Sequence, residues 1–89
     1  MGIGSHTIIG YVLVKNGVYF VGTKREILSQ ICKFWFVDRV LHFQFKDYPS
    51  SFAHSYNKSY SLKEMEKDAV DCIFSRVFDY GYHLYGRVI

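Results

Sequence analysis

The chain has 89 residues, of which 49% are hydrophobic and 19% aromatic, and its formal net charge is +3. This length predicts a single compact domain, residues 1–89, because domains typically have about 50 to 250 residues, and the hydrophobic content suits a dense core. The chain lacks the dense Lys/Arg clusters of dedicated nucleic-acid-binding proteins. Its longest apolar run is also much shorter than the roughly 18 residues of a membrane span.

The clearest predicted element is a β-hairpin over residues 7–22. Strand-forming residues flank Asn16 and Gly17, the pair that best tolerates the positive φ angles of a two-residue type I′ turn. This turn places Leu13 opposite Phe20 and makes both faces of the hairpin apolar. Antiparallel hairpins commonly have one face in water, so we expect the second face to be covered by another part of the chain, by a second copy or by a partner.

A helix and a third strand are predicted next. Thr23 with Glu26 three residues later is a capping box, and apolar residues then recur at helical spacing through about Trp35. Residues 38–46 alternate between two sides, with His42 on the more polar one, which predicts a strand.

A long polar loop with many aromatic side chains, residues 47–60, separates this strand from a second helix. Ser61 and Glu64 form another capping box, and the helical spacing continues to about Phe78. Gly81 suits the end of that helix, where a left-handed residue is common. The remaining tail alternates enough for a short last strand.

The predicted element order is ββαβ, loop, αβ. It indicates an α+β fold with an antiparallel sheet of three to four strands and two helices packed on one face, since layers must cover each other's apolar surfaces. Cys32 and Cys72 fall on the apolar sides of the predicted helices. We expect reduced, buried thiols in a cytoplasmic protein, and a disulfide between them is the alternative.

Catalytic and metal chemistry find little support in the sequence. The four histidines are scattered without the short spacings of metal ligands, and thiols on apolar helix faces lack the electropositive setting of a reactive thiolate. Glycine loops that hold phosphates, and the Gly-x-Ser-x-Gly motif, are missing. We therefore predict that the protein is not an enzyme and uses neither metal nor cofactor. An acidic stripe of Glu64, Asp68 and Asp71 is interpreted as a solvated helix face, with docking of a basic partner or a divalent ion as the alternative.

The most suggestive segment for binding is the loop 47–60 with its aromatic and basic side chains. Aromatic rings stack on unpaired bases while cations contact phosphates, but tyrosines also anchor protein interfaces, and a third interpretation has these rings pinning the loop to the domain. The candidate partner-binding residues are Lys24, Arg25, Tyr48, His54, Tyr56, Lys58, Tyr60, Tyr82, Tyr85 and Arg87.

These observations predict a small non-catalytic binding protein that acts by occupying the surface of a macromolecular partner. Its size suits an inhibitor or modulator of a host protein complex of the kind carried by phages and mobile elements, although no motif specifies this role. A protein partner is favoured, and binding to RNA or single-stranded DNA is the alternative function. We expect no membrane association, and a homodimer through the hairpin face is a further option.

Overall fold

The computed structural model of the protein describes residues 10–88. They form an α+β fold with two α-helices and two three-stranded antiparallel sheets, so the predicted fold class is confirmed. The expected single sheet is instead two smaller sheets. The elements are β1 (Gly10–Lys15), β2 (Val18–Gly22), α1 (Lys24–Ile31), β3 (Cys32–Val37), β4 (Val40–Phe45), β5 (Phe52–Ser55), α2 (Leu62–Phe74), a 3-10 helix (Val77–Tyr80) and β6 (His83–Val88).

The first sheet has the strand order β2-β1-β6 and contains the predicted hairpin. Asn16 and Gly17 have φ angles of 51° and 78°, as a type I′ turn requires, and Leu13 pairs with Phe20 as expected. The predicted last strand is β6, which pairs with the other edge of β1. The predicted residues 7–9 of the hairpin and residue 89 of the tail lie outside the described residues.

The second sheet has the order β3-β4-β5, and two of its strands were not predicted. Helix α1 ends at Ile31, so the prediction of a helix through Trp35 is wrong for residues 32–35. These residues alternate between the core and solvent as part of β3, and the aromatic residues Phe34 and Trp35 fit a pleated surface better than a helix. A two-residue turn at Asp38 and Arg39 then leads into β4.

Strand β5 divides the predicted 47–60 loop into two shorter segments. Phe52 pairs with Phe43 and Ser55 with Val40, which places the strand along the free side of β4. Only one of its four residues is a large apolar one, so the strand depends on pairing with β4 and not on its own sequence pattern.

Both predicted capping boxes are present at the starts of α1 and α2. Helix α2 ends at Phe74 and not near Phe78. Beyond it the backbone N–H of Arg76 donates to the carbonyl of Ile73 at 2.9 Å and that of Asp79 to the carbonyl of Arg76 at 3.0 Å, which is the spacing of a 3-10 helix. The 3-10 helix follows, and Gly81 ends it in the left-handed conformation with φ 91°.

One hydrophobic core joins the inner faces of both sheets to the two helices. Among the described residues, none of the helices is long and apolar enough to cross a membrane. The largest fully buried side chains are Tyr82, Phe43, Phe45, Leu13, Ile27, Leu28, Ile31, Leu41, Ile73 and Val77.

The two cysteines are free thiols, with Cys32 buried and Cys72 half-buried. Burial raises the pKa of Cys32 to about 11, and burial together with the charge of Asp68 raises the pKa of Cys72. Because the thiolate is the reactive species, we expect iodoacetamide to label both thiols at neutral pH about tenfold or more slower in the folded protein than in urea. Time-resolved mass spectrometry measures this ratio, and equal rates in both conditions would contradict the burial.

Candidate functional site

One face of the β2-β1-β6 sheet is apolar and uncovered by the described residues. The opposite, core-facing side carries Leu13 and Phe20, and residues next to them in each strand therefore point away from the core. We call this surface the outer face. It comprises Val12, Val14, Tyr19, Val21, Tyr85 and Val88.

The large side chains of the outer face are strongly exposed. Tyr19 and Val21 are each 54% exposed and Tyr85 is 68% exposed, whereas Leu13 on the opposite side is fully buried. The rings of Tyr19 and Tyr85 contact each other edge-to-face at 5.2 Å between centroids. The pairing register of β6 shifts opposite Val12 and Leu13, and this irregularity leaves Tyr85 as the extra residue that turns toward Tyr19.

The outer face carries no Lys, Arg, Asp or Glu side chain among the described residues. The three strands contain two such residues, Lys15 and Arg87. Lys15 lies on the core side, with its ammonium 4.8 Å from the ring of Tyr82. Arg87 pairs with Tyr11, whose ring packs on Phe74 at 5.1 Å. The surface is therefore neutral and apolar, apart from the imidazole of His83 opposite Val14.

Two of the predicted partner-binding tyrosines are buried and contribute to the fold. Tyr56 is 7% exposed, and its hydroxyl donates a 2.6 Å hydrogen bond to Asp68. Burial, followed by this hydrogen bond, raises the pKa of Tyr56. Tyr82 is 1% exposed. Neither side chain is available to a partner, because the loop and tail in which they were expected to be exposed pack onto the core.

The segment around Tyr56 packs as in the third interpretation, in which aromatic rings hold the 47–60 loop against the domain. His54 and Tyr60 contact the Tyr56 ring at centroid distances of 4.7 and 5.1 Å. Arg39, which the sequence did not single out, donates from Nη1 to the carbonyls of Asn57 at 3.1 Å and Tyr60 at 2.6 Å. A lone arginine in a predicted strand gives no signal for such a role.

The other candidates are dispersed over the surface. Lys24 forms a 2.9 Å ion pair with Asp71, and its hydrogen bond to that carboxylate raises the pKa of Lys24. Tyr48 packs on Tyr80 at 4.8 Å. Arg25 and Lys58 are exposed. The predicted residues therefore lie on several different elements, and two of them are buried.

Tyr85 is the one member of the predicted set that lies on the outer face. Val12, Val14, Tyr19 and Val21 were identified in the sequence as the apolar second face of the hairpin and not as candidate site residues, and Val88 of the tail was not singled out. The sequence signal for the hairpin residues was the strand register set by the turn at Asn16 and Gly17, because that register makes both hairpin faces apolar.

The acidic stripe on α2 is explained by contacts within the chain. Glu64 completes a capping box with Ser61, and Asp68 and Asp71 accept hydrogen bonds from Tyr56 and Lys24 respectively. Across residues 10–88, no group of three or more His, Cys, Asp or Glu side chains is placed to hold a metal ion.

Comparison with known proteins gave no match: no family model fits the chain, and neither curated proteins nor solved structures yielded a similar one.

Proposed function

We propose that the protein is a small non-catalytic binding protein whose outer face docks onto an apolar surface of a partner protein. The observation that carries this proposal is the neutral, exposed apolar face of Tyr19, Val21, Tyr85 and their neighbours. Exposed contiguous apolar surfaces commonly mark interaction sites. Exposed tyrosines add rigid contact area at low entropic cost.

The chemistry of the face favours protein over nucleic acid. Binding to single-stranded nucleic acid combines stacking aromatics with cations that contact phosphates, and the outer face has the first without the second. None of the predicted cations lies on this face. Lys24 and Arg25 belong to α1 and Lys58 follows β5, and Arg87, paired with Tyr11, lies on the other side of the sheet. RNA or single-stranded DNA binding is therefore the less favoured function.

The biological role that fits such a surface is to block access to part of a partner protein. A rigid sheet that covers part of a host protein complex prevents other molecules from reaching that part, so the protein would act as an inhibitor or modulator of phage or mobile-element type. Free thiols at Cys32 and Cys72 support a cytoplasmic location, where reducing conditions keep thiols unpaired.

Two matched variants test the outer face. Val21→Asp places a charge on it, and Val18→Asp places the same charge on the opposite side of the same strand. The two valines are equally exposed, at 54% and 53%. We expect a partner captured from the host by the wild-type protein to be lost by Val21→Asp and retained by Val18→Asp, since desolvating a carboxylate against an apolar surface is costly.

Circular dichroism of both variants controls for folding, and light scattering separates a partner from self-association. Equal capture by the two variants would contradict the proposal, as would a wild-type dimer that Val21→Asp dissociates while no other protein binds. A salt-sensitive shift of single-stranded oligonucleotides, unaffected by Val21→Asp, would favour the nucleic-acid function instead.

A further inference from the structure

Among the described residues, one edge of β3 has no neighbouring strand, and its backbone groups face a groove. β3 is an outer strand of its sheet, and Val37 pairs with Val40 across the two-residue turn. The pair that flanks such a turn is hydrogen-bonded, and hydrogen-bonded and non-hydrogen-bonded pairs alternate along an antiparallel ladder. The N–H and C=O groups of Phe34 and Phe36 therefore point away from β4. They take no part in the backbone hydrogen bonds that the described residues form outside their strands and helices.

The groove beside this edge has a volume of about 320 Å³. Its lining residues come from three elements, with Arg25 from α1, Glu66 from α2, and Phe34, Trp35 and Phe36 from β3. The two phenylalanines are half-buried and give the groove an apolar lining. The groove thus lies between a strand edge and two helices, as in domains that bind a peptide by strand addition.

No ion pair within residues 10–88 engages the two charges that line the groove. The ion pairs within residues 10–88 join Lys24 to Asp71 and Arg76 to Asp79, so neither Arg25 nor Glu66 is engaged in one. A ligand that fits would offer a carboxylate to Arg25, a cation to Glu66 and an apolar side chain to the two phenylalanines. This charge pattern selects among extended segments, while the backbone groups of Phe34 and Phe36 bind any of them.

We propose that the free edge of β3 binds an extended peptide segment of a partner protein as a fourth strand of the β3-β4-β5 sheet. The bound segment carries an acidic, an apolar and a basic side chain at alternate positions, since residues two apart lie on the same face of a strand. A second copy fits less well, because its β3 begins at Cys32 directly after α1. If β3 of a second copy paired with this edge, α1 of that copy would be brought against the two helices of the first copy. This site is separate from the outer face and does not depend on it.

The test removes one backbone donor without changing any side chain. Cys32 provides a junction for joining synthetic residues 32–89 to residues 1–31, which allows the amide of Phe34 to be N-methylated in the full chain. The probe is a phage-displayed library of random eight-residue peptides, selected on the ligated wild-type protein. The affinity of each enriched peptide is then measured by fluorescence anisotropy.

We expect enriched peptides to bind the N-methylated protein about fivefold or more weakly, since one hydrogen bond is lost and a methyl group obstructs the edge. Arg25→Glu should weaken them about two- to fivefold, and Lys58→Glu, which makes the same charge change outside the groove, should leave affinity unchanged. Val21→Asp should also leave it unchanged, so failure of the outer-face proposal is distinguishable from failure of this one.

Three results would overturn the proposal. The first is a selection without enrichment, and the second is enriched peptides that bind the N-methylated protein as tightly as the wild type. The third is a wild-type dimer, seen by light scattering, that N-methylation dissociates, because it would assign the edge to a second copy. Heteronuclear NMR of the N-methylated protein, with the core resonances of Leu13 and Phe43 unshifted, controls for folding.

Discussion

Tyr82→Ala is expected to lower the free energy of unfolding by about 3–5 kcal/mol, the range for truncating a large buried aromatic side chain. Tyr82 is 1% exposed and lies where the two sheets meet. Its ring is 5.9 Å from that of Phe20 in β2 and 6.1 Å from that of Phe45 in β4. Truncation therefore removes contacts to both sheets at once and leaves a cavity between them.

A domain of this size is stabilised by only about 5–15 kcal/mol, so Tyr82→Ala would lose a large fraction of the total. Tyr82→Phe is the matched control, because it keeps the ring and removes only the hydroxyl, and we expect it to cost less than about 1.5 kcal/mol. Urea denaturation followed by circular dichroism measures both. A loss below about 1.5 kcal/mol for Tyr82→Ala would show that the ring does not join the sheets.

Tyr56→Phe is expected to lower the free energy of unfolding by about 1.5–3 kcal/mol, the range for a hydrogen bond to a charged group. The Tyr56 hydroxyl is 2.6 Å from the Asp68 carboxylate, and the phenylalanine variant leaves that carboxylate without this donor. The ring packing is kept, so the loss reports the hydrogen bond and not a cavity.

The same tyrosine predicts a loss of stability at alkaline pH. Burial and the hydrogen bond raise the pKa of Tyr56 in the folded state above its ordinary value near 10. A group whose pKa is raised by folding stabilises the protein fully below its unfolded pKa, and that contribution is lost as the pH rises above about 10. Tyr56→Phe should reduce this alkaline slope without abolishing it, because burial also raises the pKa of Tyr82.

Urea titrations of wild type and Tyr56→Phe at several pH values between neutrality and strong alkali measure the two slopes. Identical slopes would mean that Tyr56 ionises as easily in the folded as in the unfolded state. Arg39→Met is a companion variant. Arg39 holds the same segment through the carbonyls of Asn57 and Tyr60, but its guanidinium does not titrate in this pH range.

Local signals in the sequence predicted the parts of the fold that depend on a few neighbouring residues. Asn16 and Gly17 determine a turn because few other pairs accept two positive φ angles. Thr23 and Ser61 determine helix starts because each satisfies a backbone N–H that the helix leaves unpaired. These interactions are complete within three or four residues, so no tertiary contact is needed to recognise them.

The missed elements depend on contacts distant in sequence. Phe34 and Trp35 continue the helical spacing of α1 and also alternate as a strand, and pairing with β4 decides between the two patterns. Strand β5 has little pattern of its own and exists because the side of β4 beside Phe43 was open to pairing. Periodicity alone does not distinguish such cases.

The candidate site was predicted only in part for a related reason. Tyr56, Tyr82 and Tyr85 have the same side chain in similar polar surroundings, yet the first two are buried and the third is exposed. Their burial depends on Asp68 and on the packing between the sheets, neither of which is visible in local sequence. The apolar second face of the hairpin was predictable because alternation along a strand fixes which residues share a face.

The central claim, that the outer face docks onto a partner protein, is tested most directly by heteronuclear NMR of the labelled protein titrated with the partner captured from the host. We predict that the largest amide shifts will cluster on β2, β1 and β6, around Tyr19, Val21 and Tyr85. Val21→Asp should suppress these shifts while Val18→Asp retains them. Shifts that cluster instead on residues 47–60, with the outer face unperturbed, would contradict the account.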